Sequence, residues 1–191
     1  MMVYGVLCTS LMSIPVVLAN DLQNNYVMAI DLSPQKKSKY YLEMLTMFTF
    51  MNIVCVLVIG VAGILINQVK ITPEHWVKLL IGLPILGIPF VLFGVAISLV
   101  NNYNLVSSLS KIIFFPAAIF GGLWWPLEML PKWMQHIGKL TPVNAVAKVG
   151  LEIIRDQKIS MNALYNIISW VIIASILIHI ILKVSRRKGL K

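Results

Sequence analysis

Residues 44–69, MLTMFTFMNIVCVLVIGVAGILINQV, run for 26 positions without a charged side chain. Residues 79–110, LLIGLPILGIPFVLFGVAISLVNNYNLVSSLS, do so for 32. About 20 apolar residues suffice to cross a bilayer as a helix. A lipid-facing backbone finds no water to bond, so its amides must be satisfied within the segment, which selects the helix. The whole composition agrees. Of 191 residues, 59% are hydrophobic and 12% charged, where a soluble domain has about 25% charged residues. Too little polar surface exists to cover a water-facing fold, so the chain reads as an all-α integral membrane protein.

Five crossings are expected, over residues 1–19, 45–67, 79–100, 105–124 and 163–182. The first lacks a basic leader and holds Pro15 in its apolar centre, which favours a membrane helix over a cleaved signal. In the second, Gly60, Ala62 and Gly63 offer a small-residue patch for close helix approach. Its polar Asn52 is expected to make an interhelical hydrogen bond, or else to touch a substrate. Lys70–Lys78 reads as a loop with Trp76 at the interface. Pro84 and Pro89 predict a kink in the third helix, since each removes a donor and crowds the preceding turn. Asn101–Ser110 reads as a polar loop, from which the fourth helix recruits Leu105–Ser110 to reach spanning length.

Residues 126–156 differ. Leu127, Leu130, Met134 and Ile137 fall at helical spacing, predicting an amphipathic helix over Pro126–Ile137. A second helical stretch follows from Thr141 to Ile154. Lys139, Lys148, Glu152, Arg155 and Asp156 interrupt the apolar run, so the pair is expected as an interfacial or re-entrant hairpin before the last crossing. Trp124, Trp125 and Trp133 suit the membrane boundary. There they set the hairpin's depth or line a path for hydrophobic cargo. Glu128 reads as a hairpin anchor or a substrate contact.

The net charge of +9 could point to nucleic acid. The basic residues sit in short loops and the tail, without an aromatic-interleaved stripe, so no nucleic-acid partner is expected. They report orientation instead. The tail from Lys183 to Lys188 places the C-terminus in the cytoplasm. Five crossings then put Asp21–Tyr41 inside as well, where Lys36, Lys37 and Lys39 flank Tyr40 and Tyr41 as a headgroup anchor. Leu22–Leu32 there could form a short amphipathic helix, Lys111 counts among the inner cations, and Glu43 opens the second helix. Cys8 and Cys55 lie in apolar runs and read as small buried hydrophobes. His75, His136 and His179 lack ligand spacing, so no metal is expected. With no phosphate-binding loop, no H-E-x-x-H and no paired carboxylates inside a span, the chain reads as a non-enzyme.

Gly121-Gly122, Trp125-Pro126-Leu127-Glu128, Pro131, Trp133 and Leu140-Thr141-Pro142 resemble the motif of ABC-2 type permeases. That family includes bacterial drug, antibiotic-resistance and polysaccharide exporters. The resemblance covers nearly the whole chain and matches the second to sixth helices of that family. The family's first helix is not matched, as expected of a fragment, a truncated product or a permease completed by another polypeptide. The resemblance implies that residues 21–41 form the loop touching an ATP-binding subunit, with Asp21, Ser33, Pro34, Lys36, Lys37 and Lys39 the matching or cationic positions. Leu22 and Asn24-Asn25 depart from the family's arginine and glycine there. It further implies a second permease copy or a related permease, surrounding membrane lipid, and ATP and magnesium on the partner, with no cofactor on this chain. The expected function is export of an amphiphilic small molecule, drug or peptide across the bacterial cytoplasmic membrane. The alternatives are an accessory or scaffold subunit, or an inactive truncated permease.

Overall fold

The computed structural model describes residues 1–24, 37–67, 72–100 and 102–187, and among them there are helices and no strands. In chain order these are α1 (Met2–Gln23), α2 (Lys37–Asn67), α3 (Pro73–Ser98), α4 (Tyr103–Phe120), α5 (Lys132–Leu140), α6 (Pro142–Ile154) and α7 (Met161–Arg187). Helices α1, α2, α3, α4 and α7 each contain a stretch long and apolar enough to cross a membrane. The short pair α5 and α6 stands before the last of them, as the interrupted apolar pattern predicts.

Several boundaries move. Helix α1 continues past Ala19 through Asp21, so the polar stretch begins as helix. Helix α2 starts at Lys37, which leaves Glu43 in its second turn rather than at its opening. The expected loop at 70–78 is helical from Pro73: the extended Thr72 precedes it, and proline is favoured at a first helical position because its missing N–H is unpaired there anyway. The fourth helix takes in Leu105–Ser110 and opens two residues earlier than the expected 105, at Tyr103. Asn102 caps it, its side-chain oxygen accepting from the Leu105 N–H at 3.2 Å. Lys111 therefore lies inside α4 and not in an inner loop.

Helix α1 is the hub. Of its apolar window 56% is buried within the chain, against 17% for α2 and 11% for α7. Val6, Leu7 and Leu11 of α1 share one core with Leu83, Phe90, Phe114 and Val146. Pro15 explains a local widening of this helix. Proline crowds the carbonyl four residues back, and the turn Thr9–Ser13 is π-helical, with the Ile14 N–H donating to the Thr9 carbonyl. The loosened turn leans on α3: a Cβ on Gly94 would sit 2.2 Å from the Ser10 carbonyl oxygen. Only glycine permits that approach.

The kink expected from Pro84 and Pro89 is a break at Gly87, which divides α3 into Pro73–Leu86 and Ile88–Ser98. The small-residue patch of α2 behaves differently at each position. Gly60 receives the Trp76 ring and Met2 rather than a neighbouring helix backbone, and Gly63 faces open space. Asn52 is 3% exposed, yet its side-chain oxygen has no partner among the described residues. The expected interhelical bond is not made by that atom.

Candidate functional site

The bundle presents functional candidates at two opposite ends. One end gathers the C-terminus of α1, the end of α3 and the start of α4. The other carries the start of α3, the end of α4, the α5–α6 hairpin and the start of α7.

At the first end, Asp21 lies in the last turn of α1, and Lys37 and Lys39 lie in the first turn of α2. Ser33, Pro34 and Lys36 fall outside the described residues, as does most of the possible Leu22–Leu32 helix. Sequence reading singled out no neighbour for this region, but the fold supplies one. Leu22 and Gln23 join Ser98, Asn102, Tyr103 and Asn104 around a polar cleft of about 360 Å³. No periodicity could have revealed it, because the lining comes from three helix ends far apart in sequence.

At the second end, GGLWWPLEMLP becomes a sequence of specific stops and turns. Gly122, with φ of 73°, ends α4 in the left-handed conformation that glycine tolerates best. The Leu123 N–H donates to the Ala118 carbonyl and the Gly122 N–H to the Ile119 carbonyl, both at 3.1 Å, so the last carbonyls are satisfied. Gly121 admits the Val143 side chain of α6. The amphipathic helix expected over Pro126–Ile137 is instead one 3-10 turn at Leu127–Met129, a stop at Pro131, and α5 beyond it. Pro131 cannot donate to a helix running through it, and the residue before a proline is driven away from helix. Leu130 accordingly is extended, at ψ 156°.

The Leu140-Thr141-Pro142 turn has a similar logic. Thr141 caps α6 by accepting from the Asn144 N–H at 3.3 Å and donates its hydroxyl to the Gly138 carbonyl at 2.7 Å. Pro142 follows at the first helical position. Gly138 rests against the carbonyl of Phe120, closing α5 onto α4. The Leu140 carbonyl receives the Trp170 Nε1–H at 2.8 Å and the Asn166 amide at 3.1 Å, tying the hairpin to α7.

Between the hairpin, the end of α4 and the start of α7 lies an open cleft of about 920 Å³. Six of the singled-out residues line it: Gly121, Gly122, Trp125, Pro126, Leu127 and Glu128. Pro131, Trp133, Thr141 and Pro142 do not line it but build its frame. The Trp133 ring meets Phe120 edge-on, centroids 6.3 Å apart, and Trp124 meets Trp125 in the same way at 5.9 Å. The Glu128 carboxylate is exposed on the cleft and has no partner among the described residues. Its backbone carbonyl, not its charge, takes part in the frame, accepting from Gln135 at 3.4 Å.

Two polar contacts escaped sequence reading. Glu152, 7% exposed, accepts from the Ser160 N–H at 2.8 Å, while Lys148 stands 3.9 Å from its other oxygen. The four-residue spacing of Lys148 and Glu152 was a legible signal; the Ser160 contact was not. His75 at the start of α3 donates from Nε2 to Asp156 at 2.9 Å and meets the Thr72 hydroxyl through Nδ1. Among the described residues no group of three or more His, Cys, Asp or Glu side chains could hold a metal ion. Each end presents a cleft lined by side chains from several helices.

No solved structure matches the chain. A curated Bacillus subtilis (strain 168) protein, described as "Putative transport permease YvfS", is 24% identical over 179 residues, spanning 93% of this chain and 72% of that protein. The profile of the ABC-2 type transporter family matches residues 1–154, from α1 through α6. The chain is a multi-pass membrane protein and belongs to the ABC-2 type transporter family.

Proposed function

We propose that this chain is the membrane-spanning permease of an ATP-driven exporter that moves an amphiphilic small molecule, drug or peptide out of the cell. A separate ATP-binding subunit supplies the energy, and a second permease, identical or related, completes the pathway. The membrane is the bacterial cytoplasmic membrane, with the C-terminus and residues 21–41 on the cytoplasmic side. One observation carries the reading beyond family membership. The most buried span, α1, leads directly into the polar 21–41 stretch, and its last turn borders the cleft formed with Ser98 and Asn102–Asn104. A displacement applied to that stretch reaches the core through a packed helix and not through a surface loop. Packed cores respond to such a push by switching between discrete arrangements.

The test is affinity purification of the tagged, detergent-solubilised chain from its native membrane, with mass spectrometry of the retained proteins and an ATPase assay. Recovery of an ATP-binding cassette subunit whose hydrolysis depends on this chain supports the proposal. Reproducible absence of such a subunit from a folded, membrane-inserted preparation argues for a non-transporting membrane role.

A further inference from the structure

Lys111 is a basic residue in the middle of a span. It lies eight residues beyond Tyr103 and nine before Phe120, about 12 and 13 Å along the axis from the two ends of α4. Its side chain is exposed and has no partner among the described residues. A charged group facing hydrocarbon at that depth is costly, and such residues face a protein interior or a water-filled cavity almost without exception. The described residues provide no such interior over Lys111.

A second observation fixes the direction. Asn104, Ser108 and Lys111 are spaced four and three residues apart, so they share one helix face. All three are exposed. The polar line starts at Asn104, which lines the cleft at the end of α1, and climbs to mid-membrane at Lys111. Ile113, about 3 Å further along the axis and on the opposite side of the helix, is 40% exposed and apolar, as a lipid-facing residue should be. The stripe and Ile113 therefore occupy opposite faces of α4.

From this stripe we infer that Asn104, Ser108 and Lys111 line a water-filled route into the membrane, at whose inner limit Lys111 binds the anionic group of the cargo. The opposite wall comes from a second permease chain. The inference rests on the permease reading and deepens it by naming an anionic amphiphile as the substrate class. A lysine ammonium suits this task as a compact charge with three donors, which a carboxylate, phosphate or sulfate can satisfy without a fixed geometry.

The experiment is thiol labelling in native membrane vesicles, where any partner chains are present, in a background with Cys8 and Cys55 replaced by alanine. Lys111→Cys and Ser108→Cys should react with an uncharged, membrane-impermeant maleimide roughly tenfold faster than Ile113→Cys, because only water-facing thiols meet the reagent. Ser108→Cys is the smaller change and retains Lys111, so it serves if the lysine variant fails to insert. Decanoate should slow labelling of Ser108→Cys, and decyltrimethylammonium should not. Adding Lys111→Gln should abolish that protection. Labelling of both stripe positions no faster than Ile113→Cys overturns the route. Equal protection by the two amphiphiles, or protection that survives Lys111→Gln, overturns the anion assignment. Neither readout needs ATP hydrolysis or transport, so failure here leaves the permease proposal standing, and loss of the ATPase partner leaves these rates interpretable.

Discussion

The Asp156 carboxylate accepts from the buried His75 ring at 2.9 Å, and Asp156 does so from a backbone φ of 51°. The bond joins the start of α3 to the end of α6, 81 residues apart in sequence. At the end of α6 the Gln157 N–H returns to the Glu152 carbonyl at 2.9 Å, the turn that usually ends on glycine. An aspartate there accepts about 1 kcal/mol or more of left-handed strain in exchange for holding an otherwise unpaired imidazole N–H.

That exchange orders three variants. Asp156→Asn keeps an acceptor and tolerates the left-handed conformation, so it should stay nearest the parent. Asp156→Gly relieves the strain but leaves His75 unpaired. Asp156→Ala does neither, and should fall lowest, by about 1–2 kcal/mol given that the carboxylate is partly hydrated. Thermal unfolding in detergent reads the order directly; an alanine variant as stable as the glycine one would remove strain from the account.

Gly94 and Gly63 form a second comparison, since both are glycines inside apolar helices. A Cβ on Gly94 would meet the Ser10 carbonyl oxygen, a backbone atom that cannot rotate away. Gly94→Ala should therefore separate α1 from α3 and destabilise by about 1–3 kcal/mol. Nothing lies within 4 Å of a Cβ on Gly63, so Gly63→Ala should be neutral or slightly stabilising. Melting temperatures of the two variants, measured side by side, check the prediction. Equal losses would mean that the close contact at Ser10 is not limiting.

The hairpin's attachment to α7 is testable at Trp170. Trp170→Phe keeps an aromatic ring beside Phe93 but deletes the donor to the Leu140 carbonyl. The loss should be about 1 kcal/mol and should appear locally, as faster hydrogen exchange at the start of α6, with little change in the core of α1. Uniform acceleration across the chain would show instead that the hairpin and bundle open together.

Much of this architecture was legible beforehand, and the failures share a cause. Uncharged runs report spans because a bilayer imposes one strong requirement on every residue at once. Helix ends answer to local chemistry, and there Pro73, Asn102 and Pro131 overrode the apolar pattern. The 70–78 loop became helix because Pro73 can open one, and Pro126–Ile137 broke because Pro131 cannot sit inside one. The hairpin motif was visible as residues, but its parts proved unlike: Gly122 and Thr141 are stops and caps, whereas Trp125 and Glu128 line a cleft. Long-range partners such as His75 with Asp156, or Trp170 with Leu140, leave no periodic trace in one sequence.

At Glu128, anchoring of the hairpin and contact with cargo make different demands on the carboxylate. Its carboxylate has no partner among the described residues, so Glu128→Gln should change stability by less than about 0.5 kcal/mol. Gly122→Ala should behave oppositely, because a Cβ is strained at φ of 73° and would stand 3.0 Å from Leu127. If both variants insert and the proposed export holds, it should fall selectively in Glu128→Gln for amphiphiles that carry a cationic group beside the anionic one, and fall for every cargo alike in Gly122→Ala. Export assays with a zwitterionic and a purely anionic amphiphile make the comparison. A Glu128→Gln variant that loses stability as Gly122→Ala does would return that carboxylate to the frame of the hairpin.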